Sequence, residues 1–168
     1  GSISGPLGEG ACQLWIDEPD DAEALIGFVP AYDVPEGWLA VASARDDDGD
    51  AYALAHADDE RLARLAVLDA VINNADRKGG HVLYAPEGRL YGVDHGVSFH
   101  TEHKLRTLLW GWAGTELHDV ELAAVERATA EAPDQLGALL DEEEIAAFVR
   151  RGELLGRRGR LPRPRGQW

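Results

Sequence analysis

Two short β-type runs joined by a tight turn bring two acidic residues of this chain together. The runs span residues 81–85 and 89–93, and Pro86-Glu87-Gly88 between them is a turn-forming sequence. Asp76 precedes the first run and Asp94 follows the second, each in a loop bordered by glycine. Because a hairpin folds back on itself, we expect both loops at the same end, with the two carboxylates facing one space.

This arrangement suits phosphoryl transfer from ATP. That reaction uses one carboxylate to receive the proton of the acceptor hydroxyl and a second to hold the magnesium ion that bridges the phosphates. In the kinase pattern D-x-x-x-x-N, a metal-binding side chain follows the catalytic Asp, and a separate Asp before Gly comes later. Asp76 takes the first position and His81 the second, while Asp94-His95-Gly96 stands where kinases carry Asp-Phe-Gly.

The sequences of the two loops resemble a kinase family. N-A-D-R at residues 74–77, followed by V-D-H-G-V-S-F at 93–99, is similar to the C-terminal lobe of the phosphatidylinositol 3- and 4-kinase superfamily. With K-L-R-T-L-L-W at 104–110, the pattern resembles an actinobacterial branch of it, and bacterial toxin-type serine kinases share the two loops. The resemblance covers residues 8–118. It implies an α+β fold, mostly helical with short β-hairpins, that forms the C-terminal lobe of a protein-kinase-like structure.

The resemblance assigns roles to the loop residues. Asp76 would be the catalytic base, Lys78 a phosphate contact and Asp94 the main ligand of Mg or Mn. Asp69, an acid on a mostly apolar helix face, would brace the Asp76 loop, since a buried carboxylate needs partners. Arg106 is a candidate partner for Asp69 or Asp76.

A second group of residues would contact the nucleotide. The alternating run at residues 11–17 predicts a strand. It resembles the hinge between the two kinase lobes, which would place Leu14, Trp15 and Ile16 beside the adenine of ATP, with Leu83 beneath it. An ordinary half-buried strand would explain the same pattern.

His81 departs from the family pattern, in which most members have asparagine. An asparagine oxygen suits magnesium, whereas an imidazole nitrogen suits manganese, zinc and softer ions. Two interpretations follow for His81: a metal ligand, or a side chain that only hydrogen-bonds within the turn.

The charge of the chain argues against several classes of partner. The 168 residues carry −15 and include a single cysteine, Cys12, and no apolar run long enough for a membrane helix. We therefore expect a soluble cytoplasmic protein with no integral membrane segment. From Arg150 onward seven arginines face one glutamate, a net +6, which leaves −21 on residues 1–149. Nucleic acids and anionic membranes repel such an acidic body.

Three regions are expected along the chain: a flexible N-terminal segment or tag remnant at 1–10, a kinase-like C-lobe at 11–155, and a basic flexible tail at 156–168. A kinase also needs an N-lobe lysine before the hinge, but the lysines here, Lys78 and Lys104, follow it. We expect this chain to be a lobe whose N-lobe is absent or truncated, inactive alone and prone to self-association through exposed apolar surface.

Other patterns predict the supporting elements. Residues 38–44 and 51–55 predict a hairpin around an acidic turn, and residues 20–37 a short helix and a loop. Asp58 or Asp59 would cap a helix, and Asp141, with Glu144 three residues later, another. The buried stripe of the first helix is expected to comprise Leu62, Leu65, Ala66, Asp69, Ile72 and Asn73.

Two functions rival an active kinase that phosphorylates an unidentified hydroxyl acceptor. The first is a pseudokinase or nucleotide-binding module, suggested by His81. The second is a metal-dependent hydrolase built on His81, His95, His100 and His103, although their spacing matches no recognised zinc module.

Overall fold

The chain folds into three small antiparallel β-sheets and three α-helices across residues 2–164, the part that this computed structural model describes. This arrangement agrees with the predicted α+β class. The strands are β1 (Ser2–Gly5), β2 (Gly8–Ala11), β3 (Ile26–Pro30), β4 (Trp38–Arg45), β5 (Ala51–Ala57), β6 (Val82–Ala85) and β7 (Arg89–Gly92). The helices are α1 (Glu60–Ile72), α2 (Asp119–Leu136) and α3 (Glu142–Arg158).

The helix α1 lies at the centre of the core. The Asp59 carboxylate caps it by accepting a hydrogen bond from the Arg61 backbone N–H at 2.8 Å, as the sequence predicted. At the other end, Asn73 adopts the left-handed conformation, with φ 58°, and ends the helix. Apolar side chains along α1 are buried against the other elements: Leu62, Leu65, Ala66, Val67, Val71 and Ile72.

The largest sheet has the strand order β3-β5-β4. The hairpin of β4 and β5 confirms the prediction, and its acidic turn closes with a 2.8 Å bond from the Asp50 N–H to the Asp46 carboxylate. The strand β3 corrects the helix expected within residues 20–37. That segment carries Pro30 and Pro35, which leave too few consecutive residues for a stable helix. Residues 26–30 pair instead with the free edge of β5 as a strand.

The hairpin of β6 and β7 confirms the arrangement expected around the two acidic loops. Val82 pairs with Gly92, and the Val93 N–H donates to the His81 carbonyl at 2.9 Å. His81, which follows the Asp76 loop, is therefore adjacent to Val93, which precedes Asp94.

The helices α2 and α3 pack closely against each other. The Asp141 carboxylate accepts from the Glu144 N–H at 2.8 Å, and the Glu144 carboxylate accepts from the Asp141 N–H at 3.0 Å, which confirms the predicted start of α3. Gly152 of α3 faces Thr129 of α2 so closely that an added Cβ would lie 2.0 Å from the threonine hydroxyl oxygen. The crossing therefore depends on a glycine.

Regular structure is present near both ends of the described part of the chain. Residues 1–10 were expected to be flexible, but β1 and β2 form a hairpin there. The strand predicted at residues 11–17 is wrong beyond Ala11: β2 already pairs with β1, and residues 12–19 have no regular structure. At the other end, α3 continues to Arg158, and the Leu161 N–H donates to the Thr115 carbonyl at 3.0 Å. The expected tail therefore starts as ordered helix, and its residues 165–168 lie outside the described part.

Within residues 2–164, no helix combines the length and the apolar character that crossing a bilayer requires.

Candidate functional site

The loop that carries Asp76 begins where α1 ends and is fixed by Asn73. The Asn73 side-chain amide donates to the carbonyls of His100 and Glu102, at 2.9 and 2.6 Å, and its oxygen accepts from the Lys104 N–H at 3.0 Å. The left-handed turn at the helix end is thus attached to the segment at residues 100–104.

A buried ionic network supports the loop from below. Asp69 is fully buried, and its carboxylate accepts from the Arg77 guanidinium at 2.9–3.1 Å, from the Asn74 amide at 3.0 Å and from the Thr107 hydroxyl at 2.9 Å. The bracing role expected for Asp69 has a geometric basis in these bonds. Its ion-pair partner is Arg77, where the sequence suggested Arg106.

Arg77 also joins the two acidic loops. Its guanidinium donates to the carbonyls of His81 at 3.1 Å and Val93 at 2.9 Å, and contacts His95 Nε2 at 2.8 Å. Because arginine can only donate, Nε2 of His95 accepts and is unprotonated. Burial, followed by the charge of Arg77, lowers the pKa of His95. Sequence reasoning missed Arg77, although the need of Asp69 for a cationic partner was a usable signal.

Asp76 lies at the surface of this framework with its carboxylate 39% exposed and 2.7 Å from the Lys78 ammonium. The hydrogen bond from Lys78 is the largest cause of a lowered Asp76 pKa, and the charges of Lys78, His81 and Arg106 act in the same direction. Asp76 is therefore a carboxylate at neutral pH. The predicted base and the predicted phosphate contact are brought together.

Asp94 and His81 form the second half of the site. His81 Nε2 lies 3.3 Å from Asp94 Oδ2, and the Asp94 side chain is 65% exposed. Asp94 has φ 55°, a left-handed conformation that aspartate adopts more readily than most residues. His81 Nδ1 is buried and has no hydrogen-bond partner within residues 2–164.

The separation of these two atoms fits two ligands of one divalent ion. Ligands about 2.1 Å from an ion, at angles near 90–105°, lie roughly 3.0–3.3 Å from each other. Across residues 2–164, no group of three His, Cys, Asp or Glu side chains could hold a metal ion, so the His-cluster hydrolase receives no support. A kinase ion needs fewer protein ligands, because phosphate oxygens and water complete its coordination.

A cleft of about 320 Å³ opens beside Asp76. The polar side chains of Asp76, Lys78 and Arg106 line one part of it. The other part is largely apolar and comes from the β3-β5-β4 sheet and from the chain after Thr107: Phe28, Val41, Ala42, Leu54, Leu108 and Trp110.

The residues predicted to contact adenine are only partly covered. Leu14 and Trp15 are 78% and 82% exposed, whereas Ile16 and Leu83 are half-buried. Their two segments run beside each other, because the Glu18 carboxylate accepts from the Tyr84 N–H at 2.8 Å. The segment after the predicted hinge therefore lies next to the strand that carries Leu83.

One curated protein is similar to the chain along almost its whole length. The chain is 45% identical over 178 aligned residues to Protein Rv2133c of Mycobacterium tuberculosis (strain ATCC 25618 / H37Rv), a match that covers 96% of this chain and 63% of that protein. The chain thus spans less than two thirds of its relative. No family model matches the chain, and no solved structure matches it at a significant level. The name of this relative states no activity.

Proposed function

We propose that the chain is the catalytic C-lobe of an ATP-dependent kinase that transfers the γ-phosphoryl group to a hydroxyl. The observation that carries the proposal is the connection between its two acidic loops. Arg77, the residue after Asp76, donates hydrogen bonds to the carbonyls of His81 and of Val93, the residue before Asp94. Phosphoryl transfer depends mainly on such positioning of charges, because the protein contributes little covalent chemistry.

Asp76 would orient the acceptor hydroxyl and receive its proton. Its lowered pKa keeps it ionised, and its partial exposure leaves it accessible from the cleft. Lys78, which contacts Asp76 before substrate binds, would turn to the transferred group and neutralise its charge.

His81 and Asp94 would hold the divalent ion, as Nε2 and Oδ2 ligands. The ion would neutralise the charge of the ATP phosphates. A nitrogen ligand favours Mn²⁺ over Mg²⁺ at this position. On the nucleotide side, Leu14, Trp15, Ile16 and Leu83 would contact adenine.

The cleft beside Asp76 would receive the acceptor. Lys78 and Arg106 give it positive charge near the reacting position, while Phe28 and Leu54 supply apolar surface. The acceptor would be a hydroxyl compound with an apolar part next to the hydroxyl group.

Replacing Asp76 with asparagine tests the proposal. We expect Asp76→Asn to lower phosphoryl transfer at least about a hundredfold, because general-base catalysis contributes about 10²–10⁴-fold. Binding of Mn²⁺-ATP should stay within about twofold, since Asp94 and His81 are intact. Phosphoryl transfer is measured with radiolabelled ATP, and binding of Mn²⁺-ATP by calorimetric titration. Both measurements use the longest form of the protein in which the chain occurs.

The matched control is Asp50→Asn, in the acidic turn of the β4-β5 hairpin. It changes the net charge equally and should leave transfer unchanged. An Asp76→Asn variant with the turnover of the unaltered protein would contradict the assigned role.

A nucleotide-binding module without catalysis is the second candidate, and the His81–Asp94 contact favours it. While Nε2 of His81 contacts the Asp94 carboxylate at 3.3 Å, that nitrogen is not free to bind an ion. In that case the His81→Asn variant should gain transfer activity with Mg²⁺. If the protein is instead an active kinase that uses His81 as an ion ligand, the His81→Asn variant should lose its preference for Mn²⁺ over Mg²⁺.

A further inference from the structure

A second cavity, of about 550 Å³, lies between α3 and the residues that follow it. Four arginines line it: Arg151, Arg158, Arg160 and Arg163. None of its lining residues within the described part of the chain is acidic. On a chain of net charge −15, such a site attracts anions locally while the remaining surface repels them.

Arg151 is held in place by backbone carbonyls, and Arg163 lies against the backbone of Gly114. Arg151 donates to the Val71 carbonyl from Nε and to the His100 carbonyl from Nη1, each at 3.0 Å. The guanidinium of Arg163 rests on Gly114, where an added Cβ would lie 2.6 Å from Arg163 Nη2. A guanidinium fixed in advance loses less conformational entropy when it binds.

The charges of the cavity are incompletely compensated. Arg160 is paired with Glu116, which lies outside the cavity lining. Nη2 of Arg151 is buried and has no hydrogen-bond partner within residues 2–164. Burial and the neighbouring Arg150 lower the pKa of Arg151, so its charged form is penalised as the structure stands.

The remaining lining is apolar. It comes from the last turns of α3, from Leu105 and from the segment after α3: Leu105, Leu154, Leu155, Leu161 and Pro162. The cavity therefore combines guanidinium groups with an aliphatic wall, and its size lies within the range of small-molecule sites, about 300–1,000 Å³.

We propose that this cavity binds a soluble phosphate monoester with an apolar substituent. A phosphate offers about two negative charges and three acceptor oxygens, which several arginines can share, whereas a carboxylate offers one charge and two oxygens. The aliphatic wall would cover the substituent. A free ligand fits better than a lipid bilayer, because an anionic membrane is repelled by the acidic body. The site is separate from the proposed kinase chemistry.

Titration with octyl phosphate, followed by calorimetry, tests this inference. We expect saturable binding of one molecule per chain, and weaker binding of both inorganic phosphate and octanoate. The double variant Arg158→Gln/Arg163→Gln should bind octyl phosphate at least about tenfold more weakly. Both side chains are exposed, and circular dichroism verifies that the variant remains folded.

Arg64→Gln/Arg127→Gln is the matched control, since it also removes two exposed arginines, both outside the cavity lining. Equal losses in this control and in the double variant would reduce the effect to general charge and overturn the proposal. Octanoate binding as tight as octyl phosphate would overturn the phosphate assignment. Binding only to vesicles of phosphatidic acid, with none to octyl phosphate, would overturn the assignment to a soluble ligand.

Discussion

At the scale of single residues, the carboxylate of Asp69 stabilises the site only because all its partners are present. A buried ion pair gains little over an apolar pair of the same volume, but removing one partner leaves the other charge buried and uncompensated. Arg77 would then lose the group that orients its guanidinium towards the loops of Asp76 and Asp94. The network therefore couples the stability of the core to the geometry of the site.

Asp69→Ala should destabilise the fold by about 3–5 kcal/mol, the cost of breaking a buried ion pair. Urea denaturation followed by circular dichroism measures the free energy of unfolding. Glu153→Gln removes the acid of an exposed pair with Arg157 and should cost no more than about 0.5 kcal/mol. Similar costs for the two variants would show that Asp69 is not an essential partner.

The residues of the site could be predicted from sequence to different degrees. Asp76, His81 and Asp94 follow from spacing and loop chemistry and Lys78 from the family resemblance, and the structure places the four side chains as two contacting pairs. That Asp69 needs a cationic partner could be derived, but not that this partner is Arg77, because helical periodicity indicates which positions are buried but not which side chain reaches them. Whether Arg77 lies within reach of Asp69 depends on residues 105–107, which lie beside the Asp76 loop.

At the scale of elements, His56 connects β5 to the short 3-10 helix at Trp110–Trp112. His56 is fully buried, its Nδ1 lies 2.9 Å from the Ala57 carbonyl, and its Nε2 accepts from the Gly111 N–H at 3.1 Å. Its ring also lies 4.3 Å from that of Trp112. Accepting at Nε2 requires a neutral ring, so acid should loosen this contact.

The free energy of unfolding should decrease as pH falls below 6.5, the ordinary pKa of histidine, because burial lowers the pKa of His56 in the folded state. Well above pH 6.5, His56 is neutral in both the folded and the unfolded chain, and its full contribution to stability is present. As pH falls further, the unfolded chain binds the proton first, and the loss continues down through the lowered folded pKa. His95, whose pKa is also lowered, contributes with the same sign.

Thermal unfolding between about pH 7.5 and pH 5 measures this dependence. His56→Gln should reduce the slope without abolishing it, and His118→Asn, at an exposed position before α2, should preserve it. An unchanged slope in His56→Gln would refute the assignment.

The crossing of α2 and α3 gives a second prediction at this scale. Gly152→Ala should cost about 1–3 kcal/mol, because the new methyl group would overlap Thr129. Gly156→Ala, on the same helix with nothing within 4 Å, should instead stabilise by up to about 1 kcal/mol. Chemical denaturation of both variants compares them. A Gly152→Ala variant as stable as Gly156→Ala would contradict the close packing.

The elements that sequence predicts well here are those with local signals. Capping residues gave the starts of α1 and α3, and turn chemistry gave the β4-β5 and β6-β7 hairpins. The strand β3 was missed because its five residues form a strand only by pairing with β5, more than twenty positions further on. Such pairing depends on tertiary contact, which short-range patterns do not contain.

At the scale of the whole molecule, strong negative charge coexists with exposed apolar side chains. Large apolar residues near the predicted nucleotide side and on the sheet are exposed by more than two thirds: Leu14, Trp15, Phe28 and Tyr32. Apolar surface promotes association, while like charge on two copies opposes it. The balance between the two terms should depend on salt.

We therefore expect weak self-association that increases as salt rises from about 50 to about 500 mM, because salt screens the repulsion. Sedimentation velocity at several concentrations measures it. Trp15→Ser/Phe28→Ser should weaken it, whereas Val120→Ser, at an exposed apolar position of α2, should not. Association that instead weakens with salt would point to a charge-driven contact.

Residues 103–107 separate two compartments of this protein. His103 and Leu105 border the arginine-lined cavity, whereas Arg106 and Thr107 border the Asp76 cleft. The partition is one backbone thick. The Arg106 carbonyl accepts from the Arg77 N–H and the Arg106 N–H donates to the Asn74 carbonyl, which attaches the partition to the loop that carries Asp76. A shift of residues 103–107 caused by a ligand in one compartment would therefore move the wall of the other compartment directly. The helices would not have to transmit that movement.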